Sequence, residues 1–206
     1  MAEYHQFCGL ARALDLIGDR WNLLIVRELL IAERRHSELR SALPGVATNL
    51  LAERLQTLVT AGIVARREES GRKAVSYSLT PRGAELREPV LGLVRWGAAT
   101  MSAGPRPDDA VQPQWVLLAL EALLPSSGLE AEGTIHLRAD GMDAAIHLHD
   151  GRASVSPSGP RRADALVAGP SAAILGLFAR ALPLAAARQR GLEIEDPAGL
   201  VRSLVS

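Results

Sequence analysis

Thr48-Asn49-Leu50-Leu51-Ala52-Glu53-Arg54-Leu55-Gln56-Thr57-Leu58-Val59-Thr60-Ala61-Gly62 is the stretch whose reading decides the fold. At 100° per residue, Leu51, Leu55, Leu58 and Val59 gather on one side, which predicts an amphipathic helix with an apolar seam. Thr48 stands where an N-cap belongs, and Gly62 is placed to close the helix. The opposite side carries Asn49, Glu53, Gln56 and Thr57. Asn and Gln can bond adenine bidentately and Glu can accept from cytosine N4, so this face has the chemistry to read bases. An ordinary solvated helix would show the same pattern, and periodicity alone leaves both readings open.

The flanks narrow the choice. A short polar helix is expected from about Ser37 to Leu43, stopped by Pro44-Gly45. After Gly62 the period changes from 3.6 to 2: Ile63 to Arg67 reads as a strand and Ser70-Gly71 as a turn. Val75, Tyr77 and Leu79 then alternate with Ser76, Ser78 and Thr80 on a returning strand. Two helices joined by a tight turn and followed by a hairpin make a winged helix-turn-helix, whose second helix enters the major groove. Arg66, Arg67, Arg72 and Lys73 flank the hairpin turn and suit phosphates or a minor groove. Arg34 and Arg35 offer further phosphate contacts, and Ser37 and Thr48 are counted with the DNA-contacting residues.

Further out, Phe7, Leu10, Leu14 and Ile17 recur at helical spacing, with Gly18 ending that helix. Asp19 is placed to cap a second helix, Arg20 to Ala32, apolar on nearly every face and therefore expected at the centre of a core. Thr80-Pro81 opens a long helix through Leu86, Val90, Leu93 and Trp96, with Pro89 expected to bend it. The first and last of these helices carry more apolar surface than one small domain needs, which suits dimerisation.

The run Cys8-x-x-Ala11-Arg12-Ala13-Leu14-Asp15-Leu16-Ile17-Gly18-Asp19-Arg20-Trp21, with Leu24-Ile25-Val26-Arg27-Glu28-Leu29, Leu51-x-Glu53-Arg54-Leu55 and Tyr77-Ser78-Leu79-Thr80-Pro81, closely resembles the HxlR family of bacterial winged-helix regulators. The resemblance covers residues 5 to about 100. It implies a homodimer on palindromic operator DNA, paired through its first and last helices. Family members often have Cys-Pro where this chain has Cys8-Gly9, and in some of them the cysteine senses oxidants or electrophiles. Cys8 near a helix N-terminus, with Arg12 one turn on, is therefore a candidate redox residue, against a plain structural thiol.

Ser102-Ala103-Gly104-Pro105-Arg106-Pro107-Asp108-Asp109 denies helix and ladder alike, so the winged-helix domain is assigned residues 1–104, a linker 105–112 and a second domain 113–206. The back half reads as an apolar helix from Trp115, alternating strands around Ile135, Leu137, Ile146 and Leu148, an Asp150-Gly151 turn, and a helix opened by Pro170. That pattern predicts an α+β fold with an antiparallel sheet and helices. Arg162-Ala163-Asp164-Ala165-Leu166-Val167-Ala168-Gly169-Pro170 and Leu192-Glu193-Ile194-Glu195-Asp196-Pro197 resemble sterol-carrier-protein-like domains. This resemblance implies a cavity for a small hydrophobic ligand, with Trp115, Leu118, Ile174, Leu177 and Phe178 as candidate lining; the same residues would equally fill a core. His136, His147 and His149 share the other sheet face, a weak case for a metal, and no metal is expected.

The 206 residues are 48% hydrophobic and 22% charged, with Lys+Arg and Asp+Glu both at 23. The equality hides an asymmetry: residues 1–104 hold 14 basic and 11 acidic side chains, and residues 105–206 hold 9 and 12. A single cysteine excludes an intrachain disulfide, and no apolar run is long enough to span a membrane, so a cytoplasmic protein is expected. No nucleophile elbow, phosphate loop or dinucleotide fingerprint occurs, so neither an enzyme nor a cofactor is expected. The reading is a dimeric transcriptional regulator bound to double-stranded DNA, with a small hydrophobic ligand in the back domain as its candidate modulator. Its rival is a lipid carrier whose front domain serves assembly.

Overall fold

A computed structural model describes residues 4–68, 75–101, 106–125 and 127–205. It divides into two compact units, Met1–Val90 and Leu91–Ser206. That division falls inside a helix, upstream of the proline-rich segment, whose residues 102–105 lie outside the described ones.

The front unit runs α1 (Gly9–Ile17), α2 (Asn22–Ile31), β1 (Arg34–Arg35), α3 (His36–Ala42), α4 (Thr48–Thr60), β2 (Val64–Glu68), β3 (Val75–Leu79), α5 (Pro81–Ala84) and the start of α6 (Arg87–Ala98). Ile25, Val26, Leu39, Leu51, Leu55 and Leu58 are buried and form its centre, as the apolar character of α2 and the seam of α4 demand. Three expectations are corrected here. Asp19 does not cap α2, which starts only after Trp21; the aspartate carboxylate is drawn instead to the guanidinium of Arg54. Thr48 is the first helical residue of α4, and Ala47 occupies the cap position without a side-chain bond. The helix after Thr80 breaks between Ala84 and Arg87 rather than bending at Pro89. Proline lacks an N–H and is accommodated in a first helical turn, which is where Pro89 lies in α6.

Thr80 caps α5 as its sequence predicts: its Oγ1 accepts the Gly83 N–H at 3.0 Å and donates to the Gly62 carbonyl at 2.6 Å. The cap thus also ties α5 to the end of α4. The wing sheet has a third strand that the alternation did not reveal. Its order is β1-β3-β2, with Arg34 opposite Tyr77 and Arg35 opposite Ser76.

The back unit takes the rest of α6, a 3₁₀ turn at Ala99–Met101, then α7 (Trp115–Leu123), β4 (Gly133–Ala139), β5 (Met142–His149), β6 (Arg152–Ser156), β7 (Ala165–Gly169), α8 (Ser171–Phe178), α9 (Leu184–Gln189), β8 (Glu193–Glu195) and α10 (Leu200–Val205). Asp140-Gly141 and Asp150-Gly151, all at positive φ, turn the chain between β4, β5 and β6. The sheet order is β6-β5-β4-β7-β8. The α+β class stands, with one difference: β7 runs parallel to β4, so the sheet is mixed. The parallel pair arises because the chain leaves β6 at one edge and returns beyond β4. The connection crosses the sheet's outer face, where a Cβ on Gly159 would stand 3.2 Å from His136 Nε2. On the inner face Ile135, Leu137, Ile146, Leu148 and Val167 pack with the apolar sides of α7, α8 and α10.

Candidate nucleic-acid interface

Helix α4 separates its two faces as its period requires. Leu51, Leu55 and Leu58 are at most 1% exposed, while Thr48, Asn49, Glu53 and Gln56 are exposed and Thr57 is half-buried. The seam locks the rotation of the helix about its axis, which fixes the side from which the polar side chains project. Gln56 Nε2 reaches Thr60 Oγ1 at 3.4 Å, a long contact that a base edge could replace. Glu53 Oε1 lies 3.2 Å from Arg54 Nη1, so the carboxylate is held beside its neighbour's guanidinium.

The third strand reorganises the expected phosphate contacts. Residues paired across neighbouring strands share a face. Arg34 and Arg66 therefore flank Tyr77 on one side of the wing sheet, and Arg35 and Arg67 flank the buried Ser76 on the other. Arg35, Arg66 and Arg67 are exposed and Arg34 is half-buried. Arg66 donates to Glu68 at 2.8 Å, and this bond holds its pKa above the ordinary arginine value, so its charge is fixed but partly compensated. Arg72 and Lys73 lie outside the described residues.

At the start of α3, Glu38 Oε2 accepts the Arg35 N–H at 2.6 Å, which supplies an N-terminal bond that sequence reasoning left unassigned. Ser37 is exposed, and with His36, Arg40 and Ser41 it lines an open cleft of about 380 Å³. His36 and Arg40 were absent from the expected contacts; their i, i+4 spacing, with Ser37 between them, was the available signal. One helix-turn-helix thus places an exposed cation on α3, a polar face on α4 and basic rows on the wing.

Cys8 is exposed and occupies the N-cap of α1. Its side chain makes no capping hydrogen bond, but the nearby backbone N–H groups of Ala11 and Leu10 at the start of α1 favour the thiolate and lower the thiol pKa below the ordinary value. In the back unit, Ile174, Leu177 and Phe178 lie inside the contiguous core, Leu118 is buried and Trp115 half-buried. The histidines are dispersed among separate partners: His136 bonds Asp143 at 2.6 Å, His147 meets Thr134 and Ser156, and His149 meets Glu132. Among the described residues, no group of three or more metal-binding side chains could hold an ion. Nor is any described helix long and apolar enough to cross a membrane.

Residues 16–104 match the HxlR-like helix-turn-helix family. An uncharacterized HTH-type transcriptional regulator of Synechocystis sp., sll1512, is 36% identical over 99 residues, which span 47% of this chain and 72% of that protein. The uncharacterized HTH-type transcriptional regulator YvaP of Bacillus subtilis is 39% identical over 89 residues, spanning 41% of this chain and 80% of its own length. Of a Mycobacterium bovis regulator that is also 36% identical, the chain spans 65%. Among solved structures, the redox regulator HypR in its oxidized form is 30% identical, with a TM-score of 0.43 over 45% of this chain and 96% of that one.

Proposed function

The chain belongs to the HxlR-like helix-turn-helix family, and from this premise we propose that it is a DNA-binding transcriptional regulator that inserts α4 into the major groove of an operator. The observation that carries the proposal is the split of α4: Asn49, Glu53 and Gln56 project from a helix whose rotation is locked by Leu51, Leu55 and Leu58. Asn49, Glu53 and Gln56 read base edges. Arg35, Arg67 and Arg40 hold phosphates, which position the helix without specifying sequence. Arg72 and Lys73, which flank the expected Ser70-Gly71 turn in the sequence, are counted with these phosphate contacts.

The protein works as a homodimer on a palindromic site. Phe7 is fully exposed and Leu10 and Leu14 stand out from α1, while Leu93 and Trp96 stand out from α6, with Trp96 at 79% exposure. Apolar rows of this kind on two helices are what a two-fold interface covers, and a two-fold dimer presents two recognition helices to two half-sites. The carrier reading needs Ile174, Leu177 and Phe178 to open a cavity. They are at most 3% exposed within the core, so the geometry favours the regulator.

The test is selection from fragmented genomic DNA by the purified full chain at physiological salt, followed by sequencing. The proposal predicts enrichment of a few fragments sharing an inverted repeat. Recovery of all fragments alike, or of none, would contradict it.

A further inference from the structure

We infer that Arg54 is a positioning residue: its ion pair with Asp19 ties the recognition helix to the α1–α2 turn and orients Glu53, and so sets how sharply the helix discriminates its operator from other DNA. The inference rests on the DNA-binding reading above.

The Gly18-Asp19-Arg20-Trp21 turn is the most distinctive element of the sequence, yet none of its residues belongs to the DNA-facing surface. Its role becomes visible in what it touches. Gly18 closes α1 so tightly that a Cβ there would fall 2.5 Å from the Leu14 carbonyl oxygen. Trp21 occupies the N-cap position before α2 at φ +82, a left-handed conformation that a non-glycine residue adopts only when its surroundings enforce it. Its indole lies against Gly45, itself at φ +89 in the turn between α3 and α4: a Cβ on Gly45 would stand 3.8 Å from Trp21 Cη2. The Asp19 carbonyl accepts the Asn22 N–H, which leaves its carboxylate free of any capping role.

That carboxylate accepts from Arg54 Nη1 at 2.8 Å, across 35 positions of sequence. The Arg54 side chain is only 17% exposed, so solvent screens the pair weakly on that side. The same Nη1 lies 3.2 Å from Glu53 Oε1 on the outer face. One guanidinium nitrogen therefore links a carboxylate beneath α4 to a carboxylate where a base edge would be read. The turn grips the helix-turn-helix twice: Trp21 at the inter-helix turn and Asp19 at the second turn of α4.

Base contacts depend on a defined helix orientation, whereas phosphate contacts come from long, adaptable arginines on β1, β2 and α3. Loosening the grip therefore lowers operator affinity before it lowers affinity for arbitrary DNA. The sign separates this role from plain electrostatics. Asp19→Asn removes a negative charge, which by counterion release alone strengthens binding to every sequence. Positioning predicts that operator binding weakens instead.

The experiment measures, by fluorescence anisotropy, the affinity of the full chain for a selected operator and for a scrambled duplex. The chains compared are wild type, Asp19→Asn and the charge-preserving Arg54→Lys, with a thermal melt of each. Both variants are expected to lose roughly three- to tenfold in the operator-to-scrambled ratio, with scrambled-DNA affinity retained or raised. Retained scrambled-DNA affinity also reports that the variants are folded. Wild-type ratios in both variants, or parallel loss on both duplexes, would overturn the inference alone. A wild-type chain that selects no fragment would overturn the DNA-binding reading and this inference with it.

Discussion

On the outer face of α4, Asn49, Glu53 and Gln56 stand exposed above a leucine seam, whereas on the outer face of the back sheet His136, His147 and His149 are each engaged with side chains of their own unit. Arg138 likewise reaches over the small Ala168, its neighbour on β7, to Glu193 on β8 at 3.8 Å. Both surfaces are polar, and both lie opposite a filled apolar layer. They differ in whether the polar groups are tied to other elements of the unit or, like Glu53 to Arg54 and Gln56 to Thr60, only to neighbours on their own helix, through contacts of 3.2 and 3.4 Å that a partner can replace. An exposed polar face points to a partner only in the second case, and that is why we place function on α4 and not on the histidine face.

The comparison breaks most visibly through the cores. Leu55→Ala and Leu177→Ala each remove a buried side chain and should each cost about 2–5 kcal/mol in denaturant titrations. Only the first should impair DNA binding when both are assayed below their unfolding midpoints. Equal loss from Leu177→Ala would show that the back unit takes part in recognition. A smaller effect is expected from Arg67→Ala, which should weaken binding to all sequences alike and reduce the slope of log affinity against log salt by about one. An unchanged slope would place the wing away from DNA.

The smallest effect belongs to the histidine face. The Glu132 carboxylate and the nearby Asp150 hold the His149 pKa above its ordinary 6.5. A folded-state pKa above the unfolded one means that the stabilisation is fully present below about 6.5 and is lost as pH rises through the folded value. An NMR titration should show that midpoint falling in Glu132→Gln, with operator affinity untouched. A midpoint unmoved by the substitution would remove Glu132 as the cause.

The order of front-unit elements was legible because periodicity, Thr80-Pro81 and Gly62 are local signals, each acting within a turn of its own position. The α4 seam was legible for the same reason. What escaped involved distant partners. Two residues, Arg34-Arg35, carry no strand signal of their own; they become a strand only because β3 offers a free edge at Tyr77 and Ser76. Asp19 has the composition of a cap, and nothing nearby in sequence reveals that Arg54 claims its carboxylate. In the back half, alternation located the strands but could not give the direction of β7, which depends on where the segment after Ser156 crosses the sheet.

The measurement closest to the central claim is the operator-to-scrambled affinity ratio of a Glu53→Ala/Gln56→Ala chain against wild type, at one salt concentration and with thermal melts in parallel. Both side chains are exposed, so the melting temperature should stay within a few degrees of wild type. Loss of two base-reading groups should reduce the ratio by about 1–3 kcal/mol for each contact. An unchanged ratio, with the chain folded and the wild type still selective, would contradict the assignment of sequence reading to this face of α4.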